Sequence, residues 1–95
     1  MTTNASQIAQ NPGAFNGEHV DVRGVVSQVE QRTLGLNDHY ETFLVCGSAC
    51  IPVIAFGWPD VAEGLPIVVH GTFQSATKID GYIFYNAIKA DDDSL

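Results

Sequence analysis

The chain has 95 residues, of which 45% are hydrophobic and 16% are charged. This length supports one hydrophobic core, and the apolar content is too high for a disordered chain. Eleven acidic residues against four basic residues give a net charge of −7, which disfavours a surface that holds a polyanion through its phosphates.

The chain begins with a lead-in over residues 1–15. Residues 4–10 predict one or two turns of helix, which the following Asn-Pro-Gly would end. From His19 to Gln31, apolar residues alternate with polar ones, which is typical of a half-buried strand. The alternation slips at Gly24, so we expect one long first strand that bulges or bends there.

Four further strands are predicted, at Tyr40–Cys46, Cys50–Phe56, Pro66–Phe73 and Tyr82–Lys89. Residues 33–39 and 74–81 are expected to be loops, Gly-Ser-Ala at 47–49 a tight hairpin, and the third-to-fourth connection a short helical turn. Pro52 cannot donate to a ladder, so it should lie at an edge or a bulge. The count predicts an all-β fold, a closed five-stranded barrel over residues 16–90 with a short N-terminal helix, followed by an acidic tail at 91–95.

Three runs of sequence resemble small domains of the OB-fold (oligonucleotide/oligosaccharide-binding) family. They are NPGAFNGEHVDVRGVV at 11–26, EGLPIVVHG at 63–71 and DGYIFYNA at 80–87. The resemblance extends over nearly the whole chain and implies an OB-type barrel that binds DNA, RNA, sugars or proteins. Members that bind nucleic acids usually carry basic and stacking aromatic residues on the second and third strands. Here those predicted strands contain no Lys or Arg, which favours a protein ligand.

A second resemblance concerns the run FGWPDVAEG at 56–64. It is similar to the loop before the fourth strand in the haem chaperone of cytochrome c maturation, another OB barrel, which attaches haem to a His after its last strand and has a membrane anchor. Residues 89–93 contain no His, so we expect no haem and no other cofactor. We find no apolar stretch long enough to span a bilayer and no secretory signal, and we expect a cytoplasmic protein without a membrane partner.

Cys46 and Cys50 flank the predicted hairpin loop. We expect buried free thiols there, with a disulfide as the alternative. A metal site is not expected, because a second Cys pair is missing and His19, His39 and His70 fall in three different segments. His19 and His70 take polar positions on predicted strands and should face solvent.

We expect a binding module and not an enzyme, because the sequence offers no nucleophile motif and no phosphate-binding loop. The leading hypothesis is a protein-interaction or adaptor domain within a nucleic-acid-processing assembly, with a homo-oligomer also open. The alternative is direct binding of single-stranded DNA or RNA by base stacking. Phe43 and Phe73 are expected in the core. The candidate binding residues are Tyr40, Phe56, Trp58, Tyr85, Leu34, Leu36, Arg23, Arg32 and Lys78.

Overall fold

The computed structural model describes residues 5–34, 38–56, 62–79 and 81–91, and of residues 32–34, 38 and 39 it describes the backbone alone. These residues form a short helix, α1 (Ala5–Gln10), a 3-10 turn at Pro12–Phe15, and five strands. The strands are β1 (His19–Leu34), β2 (Asp38–Cys46), β3 (Cys50–Phe56), β4 (Pro66–Ile79) and β5 (Tyr82–Ala90). The predicted all-β class and the short N-terminal helix are confirmed.

The five strands form one closed sheet in the order β1-β2-β3-β5-β4, and β4 pairs with β1 to complete the circle. The ladders are antiparallel except for the β3–β5 ladder, which is parallel and consists of the described pairs Val53↔Ile88 and Ile54↔Lys89. This ladder begins just after Pro52. As predicted, the proline therefore lies where β3 has no ladder to β5.

The bulge of β1 lies between Ser27 and Glu30 and not at Gly24, where the sequence predicted a bulge or a bend. The register with β2 shifts between Ser27 and Glu30, and Gln28 adopts a φ of 53°. Gly24 serves close packing instead, because a Cβ there would lie 2.8 Å from the carbonyl oxygen of Cys46. The expectation of one long first strand is confirmed.

The loop predicted over residues 74–81 is also wrong. β4 continues to Ile79 and pairs with β5 as far as Ile79↔Tyr82. Gly81 has a φ of 84°, a conformation that suits glycine. The second half of β4 is rich in Ser and Thr, a composition that is typical of loops. Pairing with the apolar strand β5 nevertheless keeps these residues in the sheet. The helical turn predicted between β3 and β4 falls largely on residues 57–61, outside the described residues.

The core lies inside the closed sheet and under α1. Ala5 and Ile8 of the helix are buried against it, so the lead-in contributes to the same core as the strands. Phe43 and Phe73 are buried as predicted. No helix in the described ranges is both long enough and apolar enough to cross a bilayer.

Candidate binding surface on the outer face

A second apolar cluster lies on the outer face of the sheet. The alternation of β2 and β3 turns Phe43 and Val53 inward, so that Tyr40 and Ile54 face outward. The cluster consists of Tyr40, Ile54, Phe56, Ile79, Phe84 and Ala87, and we call it the outer cluster. It joins four strands on the side of the sheet that does not face the core.

Tyr40 is at the centre of the outer cluster. Its ring centroid is 6.1 Å from that of Phe56 and 6.5 Å from that of Phe84, which meets it edge-on at 89°. These two neighbours leave Tyr40 only 2% exposed. The expectation of an exposed Tyr40 is therefore wrong, because its aromatic partners cover it. Tyr40 packs under the rings of Phe56 and Phe84, and its own ring is not available to stack on a ligand in this conformation.

Lys89 covers one of these rings. Its Nζ atom lies 5.4 Å from the centroid of Phe56, a cation–π contact. The sequence analysis did not select Lys89. The parallel register that sets Lys89 opposite Ile54 joins strands far apart in the chain, and no local pattern in the sequence reports such a pairing.

A groove continues from the outer cluster along the same face. It has a volume of about 150 Å³ and is bounded by the bulged part of β1 on one side and by Phe84 of β5 on the other. Its lining is mostly uncharged, with one carboxylate, Glu30. The residues that line it are Gln28, Glu30, Thr42, Phe43, Leu44, Pro52 and Phe84.

Three large apolar side chains at the start of β5 are exposed, and we call them the β5 tip. Tyr82 is 60% exposed, Ile83 52% and Tyr85 65%. They precede the described pairs of the β3–β5 ladder in the sequence. The expectation that an aromatic residue of the fifth strand, Tyr85 in particular, is exposed is confirmed. Beside Tyr85 lies a cavity of about 300 Å³ between α1, β3 and β5, here called the side cavity.

The predicted basic contacts are dispersed. Arg23 on β1 and Lys78 on β4 are exposed, and neither lines the groove. Leu36 and Trp58 lie outside the described residues, as do the side chains of Leu34 and Arg32. Of the predicted set, the structure therefore brings Tyr40 and Phe56 together in one cluster, with Tyr85 on the strand that borders it.

A network of imidazoles and carboxylates lies on the outside of β1 and β4. Nδ1 of His70 is 2.5 Å from Oδ1 of Asp21, and Nε2 of His19 is 2.9 Å from Oδ2 of Asp91. The hydrogen bond with His70 lowers the pKa of Asp21, and the hydrogen bond with Asp91 raises the pKa of His19. The solvent-facing positions of both histidines are confirmed. Sequence reasoning missed the network, although the i, i+2 spacing of His19 and Asp21 sets them on one face of β1.

Cys46 and Cys50 form a disulfide, and the expectation of free thiols is wrong. The two residues are directly opposite in the β2–β3 ladder, with a Cα–Cα distance of 4.1 Å. Their side chains therefore leave the same face of the hairpin at adjacent points. Within the described ranges, no cluster of His, Cys, Asp and Glu side chains is arranged to hold a metal ion.

The half-buried rings of Phe56 and Phe84 above the buried members of the outer cluster, the groove, and the β5 tip, whose side chains alternate between the two faces of β5, offer exposed apolar and aromatic groups with a few polar ones. Exposed apolar patches with this composition are typical of surfaces that bind another molecule. Neither a protein-family model nor a curated protein matches this chain.

Proposed function

We propose that this chain is an OB-fold binding module without catalytic activity and that its ligand is a protein. The order of the strands supports the fold, because β1, β2 and β3 follow one another and β4 returns to pair with β1, as in a Greek key. OB barrels bind their ligands on the face of the second and third strands and on the flanking connections. The outer cluster and the groove lie on this face.

We choose a protein as the ligand because of the composition of this surface, which is rich in exposed apolar and aromatic groups and poor in cations. The β5 tip exposes Tyr82, Ile83 and Tyr85, and the groove that Phe84 borders contains Glu30 and no cation among its lining residues. A nucleic acid is held mainly through neutralised phosphates. A protein ligand is held by aromatic and apolar anchors, which this surface supplies.

The negative charge of the chain favours protein ligands whose contact surface carries basic residues. With a net charge of −7, the domain attracts partners whose contact surface is apolar at its centre and basic at its rim. In this proposal, the β5 tip supplies the anchors, and the groove receives a side chain of the partner. The assembly expected from the sequence, in which another subunit binds nucleic acid, fits such a partner.

A matched pair of variants tests the surface. The triple variant Tyr82→Ser, Ile83→Ser, Tyr85→Ser removes the β5 tip, and the control Val25→Ser, Leu65→Ser removes exposed apolar side chains elsewhere. Each tagged full-length chain is incubated with native extract, and the retained proteins are identified by mass spectrometry. We expect a partner that is retained by the wild type and by the control but lost with the triple variant. That partner, once purified, should bind with an affinity at least about tenfold weaker to the triple variant.

Self-association is measured in parallel by sedimentation. A strictly monomeric chain whose captured proteins are the same for all three forms would contradict a protein ligand at this surface. If the wild type forms dimers and the triple variant does not, the partner is a second copy of the chain.

Direct binding of single-stranded DNA or RNA is the competing function. The contact between Lys89 and Phe56 favours it, because a cation beside an aromatic ring can serve a phosphate and a stacked base. Titration with oligonucleotides at low salt, followed by the fluorescence of Trp58, decides the matter. Saturable binding that Lys89→Ala weakens would replace the protein ligand, and a flat titration would exclude this alternative.

The cytoplasmic location expected from the sequence stays a prediction. Stable disulfides belong mainly to oxidising compartments, whereas disulfides in the cytosol are usually transient and catalytic or redox-sensing. In a cytoplasmic protein, the bond between Cys46 and Cys50 would accordingly open and close.

A further inference from the structure

One residue of the disulfide, Cys50, borders the side cavity. Cys50 is exposed, and it lines this cavity together with Ile8, Pro12 and Tyr85. A thiol can therefore approach Cys50 while all the ladders of the sheet remain paired. Access of this kind is a condition for thiol–disulfide exchange in a folded protein.

The bond is not required to hold the hairpin. The β2–β3 ladder extends from Tyr40↔Phe56 to Cys46↔Cys50, and the amide of Gly47 donates to the carbonyl oxygen of Ala49 at 2.9 Å. A crosslink that closes so short a loop removes little entropy from the unfolded chain. The hairpin should consequently stay paired when the bond is cleaved.

A cation lies on the same face of the sheet as the two sulfur atoms. Val25 is the cross-strand partner of Cys46, and Arg23 occupies the next position of that face along β1. The hairpin loop adjoins this position, since a Cβ at Gly47 would lie 3.9 Å from the carbonyl oxygen of Arg23. A guanidinium favours the thiolate form of a cysteine that it can reach, and on this ground we take Cys46 as the leaving group.

We propose that Cys46 and Cys50 form a reversible redox site that exchanges electrons with a dithiol. A thiolate of the dithiol attacks Sγ of Cys50, the bond to Cys46 breaks, and Cys46 leaves as a thiolate that takes up a proton. The second thiolate of the dithiol then attacks the first sulfur of the same dithiol, which is bonded to Cys50 in the mixed disulfide. Cys50 is released as a thiolate and takes up a proton. The dithiol loses two electrons and two protons to become a disulfide, and the chain gains two thiols. This proposal does not rest on the proposed binding function, although Tyr85 belongs to the β5 tip and also lines the side cavity.

Reduction of the folded full-length chain tests the proposal. The oxidised protein is treated with dithiothreitol without denaturant, and thiols are counted by alkylation and mass spectrometry. We expect both cysteines to become alkylated, an unchanged far-UV circular dichroism spectrum, and amide NMR changes confined to the hairpin and the side cavity. Oxidised glutathione should restore the original spectrum. Reduction that needs denaturant, or that unfolds the chain, would overturn the proposal.

One pair of variants and one trapping experiment test the chemistry. Arg23→Gln should slow reduction by roughly threefold, because the leaving thiolate loses its cation, whereas Lys78→Gln, which removes an exposed cation on β4, should not. Equal effects of the two cation variants would remove the role of Arg23. When the oxidised wild type is treated with a monothiol and quenched early in acid, the mixed disulfide should be found on Cys50, and a mixed disulfide on Cys46 would overturn the proposed direction of attack.

Discussion

His70 and Asp21 are directly opposite in the β1–β4 ladder, and Nδ1 of the histidine lies 2.5 Å from Oδ1 of the carboxylate. His19 lies between this pair and Asp91, 4.0 Å from Asp21 and 2.9 Å from Asp91. The network thereby connects β1, β4 and the residue that follows β5. Since the pKa values of Asp21 and His19 shift in opposite directions, its stabilising effect is limited to a window of pH.

Asp21 sets the acid limit of this window. Its pKa is lowered from the ordinary value of 3.8, mainly by the hydrogen bond with His70. The folded state therefore binds this proton more weakly than the unfolded chain, and the stabilisation present above 3.8 is lost as the pH falls through the lowered pKa. Asp21→Asn should lower the melting temperature at about pH 5 and approach the wild type in stronger acid. Thermal unfolding across pH measures this, with the exposed Glu18→Gln as the control. A difference that does not depend on pH would contradict the assignment.

His19 sets the alkaline limit. The hydrogen bond with Asp91 raises its pKa above the ordinary value of 6.5. Its stabilisation is present below 6.5 and disappears as the pH rises through the raised pKa. His19→Gln should therefore unfold at a lower temperature than the wild type in mildly acidic buffer and at the same temperature in alkaline buffer. In an NMR titration, Asp91→Asn should bring the pKa of His19 down, and no change would show that Asp91 is not the cause.

Gly71 should not tolerate a larger side chain. A Cβ at this position would lie 2.3 Å from the carbonyl oxygen of Lys89 and 2.9 Å from Cα of Ala90. Backbone atoms cannot move aside as a side chain can, so Gly71→Ala should cost about 2–3 kcal/mol in the free energy of unfolding. Urea denaturation measures the loss. Gly13→Ala is the matched control, because its Cβ would have no neighbour within 4 Å, and equal losses for the two variants would refute the explanation.

Glu41 is buried at a cost to stability. It is 3% exposed, its Oε1 atom accepts a hydrogen bond from Gln31 at 3.1 Å, and Oε2 has no hydrogen-bond partner in the described structure. A buried polar atom without a partner is unfavourable. Glu41→Met should therefore raise the free energy of unfolding by about 1 kcal/mol. The exposed Glu18→Gln controls for the loss of negative charge, and a destabilised Glu41→Met would show that the carboxylate is needed.

The disulfide should contribute only modestly to stability. It closes the loop from Cys46 to Cys50, for which the chain-entropy relation gives roughly 2 kcal/mol as an upper value. The double variant Cys46→Ser, Cys50→Ser should remain folded with at most that loss in urea denaturation. Comparison with the reduced wild type separates the loss of the bond from the replacement of the thiols. A chain that fails to fold would mean that the bond is structural.

The sequence was informative wherever alternation and turn residues act locally. The hairpin between β2 and β3, the full extent of β3 and the inward positions of Phe43 and Phe73 all follow from short-range patterns. The length of β4 could not be predicted in this way, because its polar second half is held by pairing with β5. The position of the bulge was not predicted, because Gly24 is in tight contact with Val45 and Cys46 of β2, and the sequence of β1 alone does not show this contact.

The candidate surface was predicted less completely than the fold. Phe56 and Tyr85 were identified from their types and positions, but the burial of Tyr40 depends on Phe84, which reaches it from a different strand. The contact of Lys89 with Phe56 depends on the parallel β3–β5 ladder. Both relationships are long-range in the chain, and alternation within one strand carries no information about them.

The parallel β3–β5 ladder closes the sheet through the described pairs Val53↔Ile88 and Ile54↔Lys89, whereas the neighbouring ladders extend over many more residues. Thermal fluctuations open a folded protein first where the fewest contacts must break. If this ladder opens, β1, β2 and β3 stay paired with one another, β4 stays paired with β5, and the β1–β4 ladder still joins the two groups. The domain can therefore open as two parts, and hydrogen exchange of the amides in the β3–β5 ladder should measure how often it does.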